Sequence, residues 1–301
     1  MTPAIEQANN GDLTPRFEDV QTHYDLSDEF FRLFLDPTQT YSCAYFEQDD
    51  YTLEQAQIAK IDLSLGKCDL QPGMTLLDVG CGWGATIHRA VEKHDVNVIG
   101  LTLSENQHAH VQKMLAESDV IANSGRTAEA RLQGWEEFDQ PVDRIVSIGA
   151  FEHFGDDRYD AFFEKAFQVL PDDGVMMLHT IVKPSDAEFK ERGLPLTMTK
   201  LKFFKFIMDE IFPGGRLPFV SVVEEHAAKA GFTVQRVQPL RLHYARTLQI
   251  WAAALEAHKD EAIAIQSQEV YDRYMHYLTG CAELFTEGYT DVCQFTLTKG
   301  R

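Results

Sequence analysis

Short apolar runs alternate with polar segments of helical length along most of the chain. The first run, residues 74–79, has the length and largely apolar character of a buried parallel strand. Similar runs predict strands at 96–101, 130–132, 143–148 and 175–181. Gly231-Phe232-Thr233-Val234 opens a sixth, and residues 291–298, alternating Val292, Phe295 and Leu297, close the series. Strands separated by helical patterns predict an α/β architecture, a seven-stranded doubly wound sheet. Ahead of it, Phe30, Phe31, Leu33 and Phe34 mark a broad apolar helix face, which Asp36-Pro37 should end. Residues 40–46 read as an irregular aromatic segment. Thr52 and Gln55 have capping-box spacing and predict a helix running to about Lys67. Residues 1–15 read as a flexible start, and 1–70 as a helical N-terminal cap. Residues 71–301 then carry the sheet, with a helical insertion at about 183–230, in one structural unit.

Composition narrows the function classes. The 301 residues are 44% hydrophobic, enough for a sizeable core, and carry a net charge of −20. That charge argues against nucleic acid as a partner and against unspecific docking on an anionic membrane. The five cysteines, at positions 43, 68, 81, 281 and 293, form no zinc-type cluster, so no metal site is expected. Their scatter suits reduced thiols and a cytoplasmic location. The N-terminus lacks the apolar core of a signal peptide, and no run reaches the length of a transmembrane segment.

Between the first strand and its helix lies Leu76-Leu77-Asp78-Val79-Gly80-Cys81-Gly82-Trp83-Gly84. Glycines at alternate positions let the backbone turn tightly and a ligand approach it. Strand, glycine turn and helix form a nucleotide-binding corner. Gly80, Gly82 and Ala85 meet a loose dinucleotide pattern, but the tip of the second strand, Gly100-Leu101-Thr102, lacks the carboxylate such a site needs for the ribose. Asp78 ahead of Gly-x-Gly-x-Gly instead resembles the opening motif of S-adenosylmethionine-dependent methyltransferases. A structural turn without a ligand is the plainer alternative. In Thr102-Leu103-Ser104-Glu105-Asn106-Gln107, Thr102 and Gln107 are the natural ribose or methionine contacts. Gly134-Trp135 would set an aromatic edge beside adenine, unless Trp135 is simply core.

Glu152 stands among phenylalanines in Gly149-Ala150-Phe151-Glu152-His153-Phe154, at the end of the fourth strand. A carboxylate there is costly to bury without partners. His179 lies in the apolar fifth strand. Alone it reads as a core histidine; ends of neighbouring parallel strands, however, open on one crevice.

Together with Tyr41-Ser42-Cys43-Ala44-Tyr45-Phe46, Leu101-Thr102-Leu103-Ser104, Ile211-Phe212-Pro213-Gly214-Gly215 and His243-Tyr244-Ala245-Arg246-Thr247-Leu248, these motifs resemble the mycolic acid cyclopropane synthases. The likeness spans residues 17–299. It implies a class I, Rossmann-like methyltransferase fold and cyclopropanation of a double bond in a long-chain, mycolic-type acyl lipid. The donor site would comprise Tyr41 and Ser42, the Leu76–Gly84 stretch, Thr102 to Gln107, and Gly134-Trp135. It also implies a bicarbonate ion held by Cys43, Glu152, His179, Ile181 and Tyr244. Cys281 matches a cysteine to which the family assigns a catalytic role, although no base for it is evident and a buried structural thiol is an equal reading. Glycine at 149, where hydroxylating relatives carry an acidic residue, favours ring formation. Val182-Lys183-Pro184-Ser185-Asp186 and the 123–130 stretch depart from the family pattern, the latter as an expected surface loop.

The chemistry sets its own demands. An alkene attacking a sulfonium methyl leaves a carbocation, which water would trap as an alcohol. Walls from Tyr24, Phe31, Tyr45 and Phe151 are expected to exclude water. Ring closure then needs a base, either Glu152 itself or bicarbonate held by Glu152. The basic, aromatic stretch Lys200 to Ile207 reads either as a solvated helix face or as a lid over the lipid. Lys200, Lys202, Lys205 and Arg216 would then form a patch for an acyl carrier protein. The rivals are a hydroxylating or methyl-branching mycolic acid methyltransferase, a small-molecule N-methyltransferase on the same scaffold, and a binding module without chemistry.

Overall fold

Strand β1 (Thr75–Val79) forms from the first apolar run and is almost wholly buried, as expected of a central parallel strand. The computed structural model describes residues 13–15 and 27–300. Before β1 come helices α1 (Asp28–Arg32) and α2 (Leu53–Gly66). After it the chain runs through α3 (Ala85–His94), β2 (Asn97–Thr102), α4 (Glu105–Glu117), α5 (Asp119–Ser124), β3 (Ala128–Leu132) and β4 (Arg144–Ile148). Then follow α6 (Tyr159–Val169), β5 (Val175–Val182), α7 (Asp186–Glu191), α8 (Met198–Phe206), α9 (Val220–Ala230) and β6 (Phe232–Pro239). Helices α10 (Arg241–Ala257), α11 (Lys259–Ile265) and α12 (Gln268–Glu287) lead into β7 (Asp291–Lys299).

The strands form one seven-stranded sheet in the order β3-β2-β1-β4-β5-β7-β6. The first five are parallel, and β7 runs antiparallel between β5 and β6. Register places Ile148 beside His179 and His179 beside Gln294, so the loop after β4 meets the far half of β5.

Several expected boundaries move. Helix α1 stops at Arg32, short of Asp36-Pro37, because Leu33 and Phe34 close i to i−3 bonds and turn the chain. Strand β3 starts two residues early, since its pairing with β2 extends beyond its one buried residue, Ala130. The expected surface loop at 123–130 shrinks to residues 125–127, between the end of α5, whose N-cap Ser118 accepts from the Ile121 N–H, and the start of β3. The basic aromatic helix ends at Phe206 and passes into a π-turn, Ile207–Ile211. Helices α10 to α12 are additional to the elements that the apolar pattern predicts.

Those three helices and the N-terminal cap share one apolar cluster. Phe30, Phe31 and Phe34 pack with Trp251, Tyr274 and Tyr277. The segment between α1 and α2 is pinned to α10 by hydrogen bonds from Ala44 N–H to Thr247 and from Phe46 N–H to His243. The insertion is therefore only part of the roof over the sheet. Among the described residues no helix is long and apolar enough to cross a membrane.

Candidate active site

The turn from β1 to α3 requires glycine on steric grounds. Gly80 and Gly84 both sit at positive φ, at 84° and 89°. A Cβ on Gly80 would collide with that of Ala150, and one on Gly84 would stand 2.6 Å from Met114 Cε. Above the turn opens a cavity of about 1090 Å³. Tyr41, Ser42, Asp78, Val79, Gly80, Cys81, Gly82, Trp83, Thr102, Leu103, Gln107, Gly134 and Trp135 all line it.

The remaining expected donor contacts do not. Leu76 and Leu77 belong to the cores on either side of the sheet, and Gly84 is the N-cap of α3. Ser104 turns its hydroxyl to the Gln107 N–H to cap α4. Glu105 and Asn106 are exposed on the first turn of that helix, where Asn106 bonds Asp28. Only Gln107 faces inward, and its side chain accepts from Thr102 Oγ1 at 2.9 Å. The cavity residues without a sequence signal include Gln39, Lys60, Glu136 and Arg158. Lys60 lies on α2 and donates to Ser42 Oγ at 2.8 Å. Glu136 pairs with Arg158 at 3.0 Å through Oε1, while its Oε2 is buried without a partner.

A second cavity, about 1070 Å³ and mostly apolar, lies under the insertion and helices α10 and α12. It collects Cys43, Glu152, His179, Ile181, Tyr244 and Cys281. Tyr41, Ser42, Gly149 and His153 border both cavities and form the neck between them. The expected aromatic walls differ. Phe31 and Phe151 are core, the latter stacked on Tyr159 at 4.3 Å. Tyr45 packs on His243, and Tyr24 lies outside the described residues. Phe204, Phe212, Tyr244, Tyr277 and Phe285 line the cavity instead.

Glu152 sits in a single 3-10 turn after β4. Its Oε1 accepts from the Ile181 N–H at 2.6 Å, whereas Oε2 is buried without a partner. Burial raises its pKa above the ordinary carboxylate value, against the lowering effect of the Ile181 bond. Ile181 thus spends its N–H on Glu152 rather than presenting it to a ligand.

His179 has its tautomer set from behind. Lys67 donates to Gln294 Oε1 and so fixes that amide, whose nitrogen then donates to Ser64 Oγ and to His179 Nδ1 at 3.2 Å. An accepting Nδ1 leaves the proton on Nε2. Burial, aided by Lys60 and Lys67, holds the ring well below the usual histidine pKa, so it is neutral. Burial likewise pushes the Cys43 and Cys281 thiols well up, and burial alone accounts for the shift at Cys281. A thiol so placed is protonated and inert as a nucleophile.

The lysine patch is partly compensated locally. Lys200 pairs with Glu287 at 2.6 Å and Lys205 with Asp209, while Arg216 lines the apolar cavity.

A sequence model of the family described as mycolic acid cyclopropane synthetase matches residues 11–295. The chain belongs to this family. It is 68% identical over 287 residues to cyclopropane mycolic acid synthase 3 of Mycobacterium tuberculosis, covering 95% of this chain and 99% of that protein. Among solved structures, the cyclopropane synthase MmaA2 of M. tuberculosis superimposes with a TM-score of 0.93 at 65% identity, covering 96% of this chain and all of that one. The mycolic acid cyclopropane synthase CmaA1, solved with S-adenosylhomocysteine and CTAB, gives 0.91 at 66% identity over 95% and 99% of the two chains. The cyclopropane synthetase fold also extends to distant enzymes: coclaurine N-methyltransferase, 22% identical, superimposes at 0.77.

Proposed function

We propose that the protein is an S-adenosylmethionine-dependent cyclopropane synthase acting on a cis double bond in a long-chain, mycolic-type acyl lipid. The observation that carries this reading is the pair of joined cavities: one over the glycine turn, the more polar of the two, a more apolar one beyond the neck, and a buried carboxylate with one free oxygen on the apolar side. The donor cavity suits a nucleoside with a charged tail, since its wall offers the open, Cβ-free face of Gly82 and the orphan oxygens of Asp78 and Glu136. When bound, S-adenosylmethionine supplies an electrophilic methyl group on a sulfonium.

The chain's own residues do the rest. The neck at Tyr41, Ser42, Gly149 and His153 aligns alkene and methyl. Phe204, Phe212, Tyr244 and Tyr277 exclude water and set aromatic faces near the developing cation, each worth about 0.5–2 kcal/mol. Glu152 takes up the proton released on ring closure, or anchors the group that does. Bicarbonate fits there chemically: its hydroxyl would donate to Glu152 Oε2 and its oxygens would accept from the neutral His179 Nε2–H. Cys43 and Tyr244 border the same space, and Cys281 serves as protonated wall. Gly149 puts no carboxylate at the neck to hold a water, which favours the ring over an oxygenated product; a Cβ there would meet only Ser42, at 3.8 Å. A lipid delivered on an acyl carrier protein would use the charges that Lys202 and the partly compensated Lys200 and Lys205 retain. A cytoplasmic location fits that delivery.

Mass spectrometry of lipids from cells expressing the wild type or Glu152→Gln tests this. The wild type should add one CH2 while the unsaturation becomes resistant to hydrogenation, and the variant should lose about 10²- to 10⁴-fold of that product. A methylated, oxygen-bearing product would place the protein among hydroxylating enzymes. Donor consumption without any lipid change would favour a small-molecule methyltransferase.

A further inference from the structure

Helix α2 buries an unusual face. Gln57, Lys60 and Ser64 point inward beside Ala56, Ile61 and Leu65. Gln57 and Ser64 have clear structural partners: Gln57 Nε2 donates to the carbonyls of Thr40 and Ser42, and Ser64 Oγ to that of Lys60. Lys60 is different. It is 1% exposed, and its side chain bonds Ser42 Oγ alone, although an ammonium carries three donors. Besides Glu136 Oε2, two further groups with unmet capacity border the same cavity. Asp78 Oδ2, on β1, is buried without a partner. Gln39 Nε2 is buried and unpaired as well, its amide oriented by Arg32, which donates to Oε1. Gln39 is held at φ 53°, a left-handed conformation that a non-glycine residue adopts at a cost.

Unmet hydrogen-bonding capacity in a buried group is expensive, and a half-satisfied ammonium with two partnerless groups around one space points to a ligand that meets all three. The set comprises a cation, an amide donor and a carboxylate. Its complement is a zwitterion with one carboxylate and one ammonium. We infer that Lys60, Gln39 and Asp78 form a clamp for the α-amino-acid end of the methyl donor, Lys60 and Gln39 receiving its carboxylate and Asp78 its ammonium. The inference rests on reading the cavity over the glycine turn as the donor site.

Position agrees with this assignment. Gly134, Trp135 and Glu136 follow β3, two places from β1 in the sheet, and mark the nucleoside end. Lys60 touches Ser42, which borders the acyl cavity too, so the amino-acid end lies beside the neck and the sulfonium is presented to it. Burial brings Lys60 down to about 8, with Cys43, Asp36 and Asp78 acting the other way, and pushes Asp78 up to about 7 against Lys60. Ligand charges of opposite sign would keep Lys60 protonated and draw Asp78 to its ionised form.

Calorimetric titration with two probes separates the clamp from a structural role. S-adenosylhomocysteine carries the α-amino acid; 5′-methylthioadenosine has the same nucleoside and a thioether but lacks it. Lys60→Met should weaken S-adenosylhomocysteine by about 10- to 100-fold, the loss of a charge-assisted hydrogen bond, and leave methylthioadenosine within about 3-fold. Asp78→Asn and Gln39→Leu should show the same selectivity, and they decide the matter if Lys60→Met does not fold. Equal loss of both ligands, or loss of neither, would overturn the clamp while leaving the donor site standing. A wild-type protein that binds neither probe would overturn the donor-site reading and the clamp with it.

Discussion

At the scale of single residues, the site carries unmet polar capacity that function explains and stability does not. Glu152 is the clearest case: one oxygen is bound by the Ile181 N–H, the other is buried and free. Its carboxyl pKa is raised by burial, so the folded protein holds the proton more tightly than the unfolded chain does. Glu152 therefore contributes most at pH below its unfolded value, and the contribution is lost as pH rises through the folded one. Glu152→Gln should accordingly be more stable than the wild type near pH 7, with the advantage vanishing below about pH 4. Urea unfolding at the two pH values measures it. A variant less stable at neutral pH would mean that the carboxylate is paired by something stronger than one N–H.

Between elements, the chain of contacts from α2 through β7 to β5 sets the chemistry of His179. Lys67 closes α2, Gln294 lies on β7 and His179 on β5, and the antiparallel pairing puts the last two side by side. The amide nitrogen of Gln294 keeps Nδ1 an acceptor. Gln294→Glu would replace that donor with a carboxylate, draw the proton to Nδ1 and raise the ring's pKa. The cyclopropanation rate should then fall by roughly 10²-fold, with S-adenosylhomocysteine affinity unchanged. An unaltered rate would show that the tautomer is irrelevant to turnover. The insertion contributes at this scale too: the backbone N–H of Arg216 donates to the carbonyl of Glu152, tying the return of the insertion to the turn that carries Glu152.

Over the whole molecule, the roof and the sheet are joined by an aromatic cluster drawn from both ends of the chain. Trp251 is fully buried there, 5.4 Å from Tyr41 and 6.2 Å from Phe34. Trp251→Ala should cost about 3–5 kcal/mol, read as a lower urea midpoint, and should loosen the cap over both cavities. A loss below about 1 kcal/mol would show that the cluster does not hold the roof. The sequence by itself determined the strands and the glycine turn with the aspartate ahead of it. Each of these rests on local periodicity or on the steric demand of a few adjacent residues, as at Gly80 and Asp78. The convergence of Glu152 and His179 was also legible, since ends of neighbouring parallel strands open on one side. What only the tertiary structure decided depends on partners far apart in the chain. Tyr41 meets Tyr277 across 236 positions. Phe31, Tyr45 and Phe151 pack against other elements rather than lining the acyl cavity, and helices α10 to α12 complete its roof. Lys60 is buried only because α2 docks against the sheet and the 40–46 segment. Burial against a distant surface leaves no mark on local pattern, because the energy that selects it belongs to the contact and not to the segment.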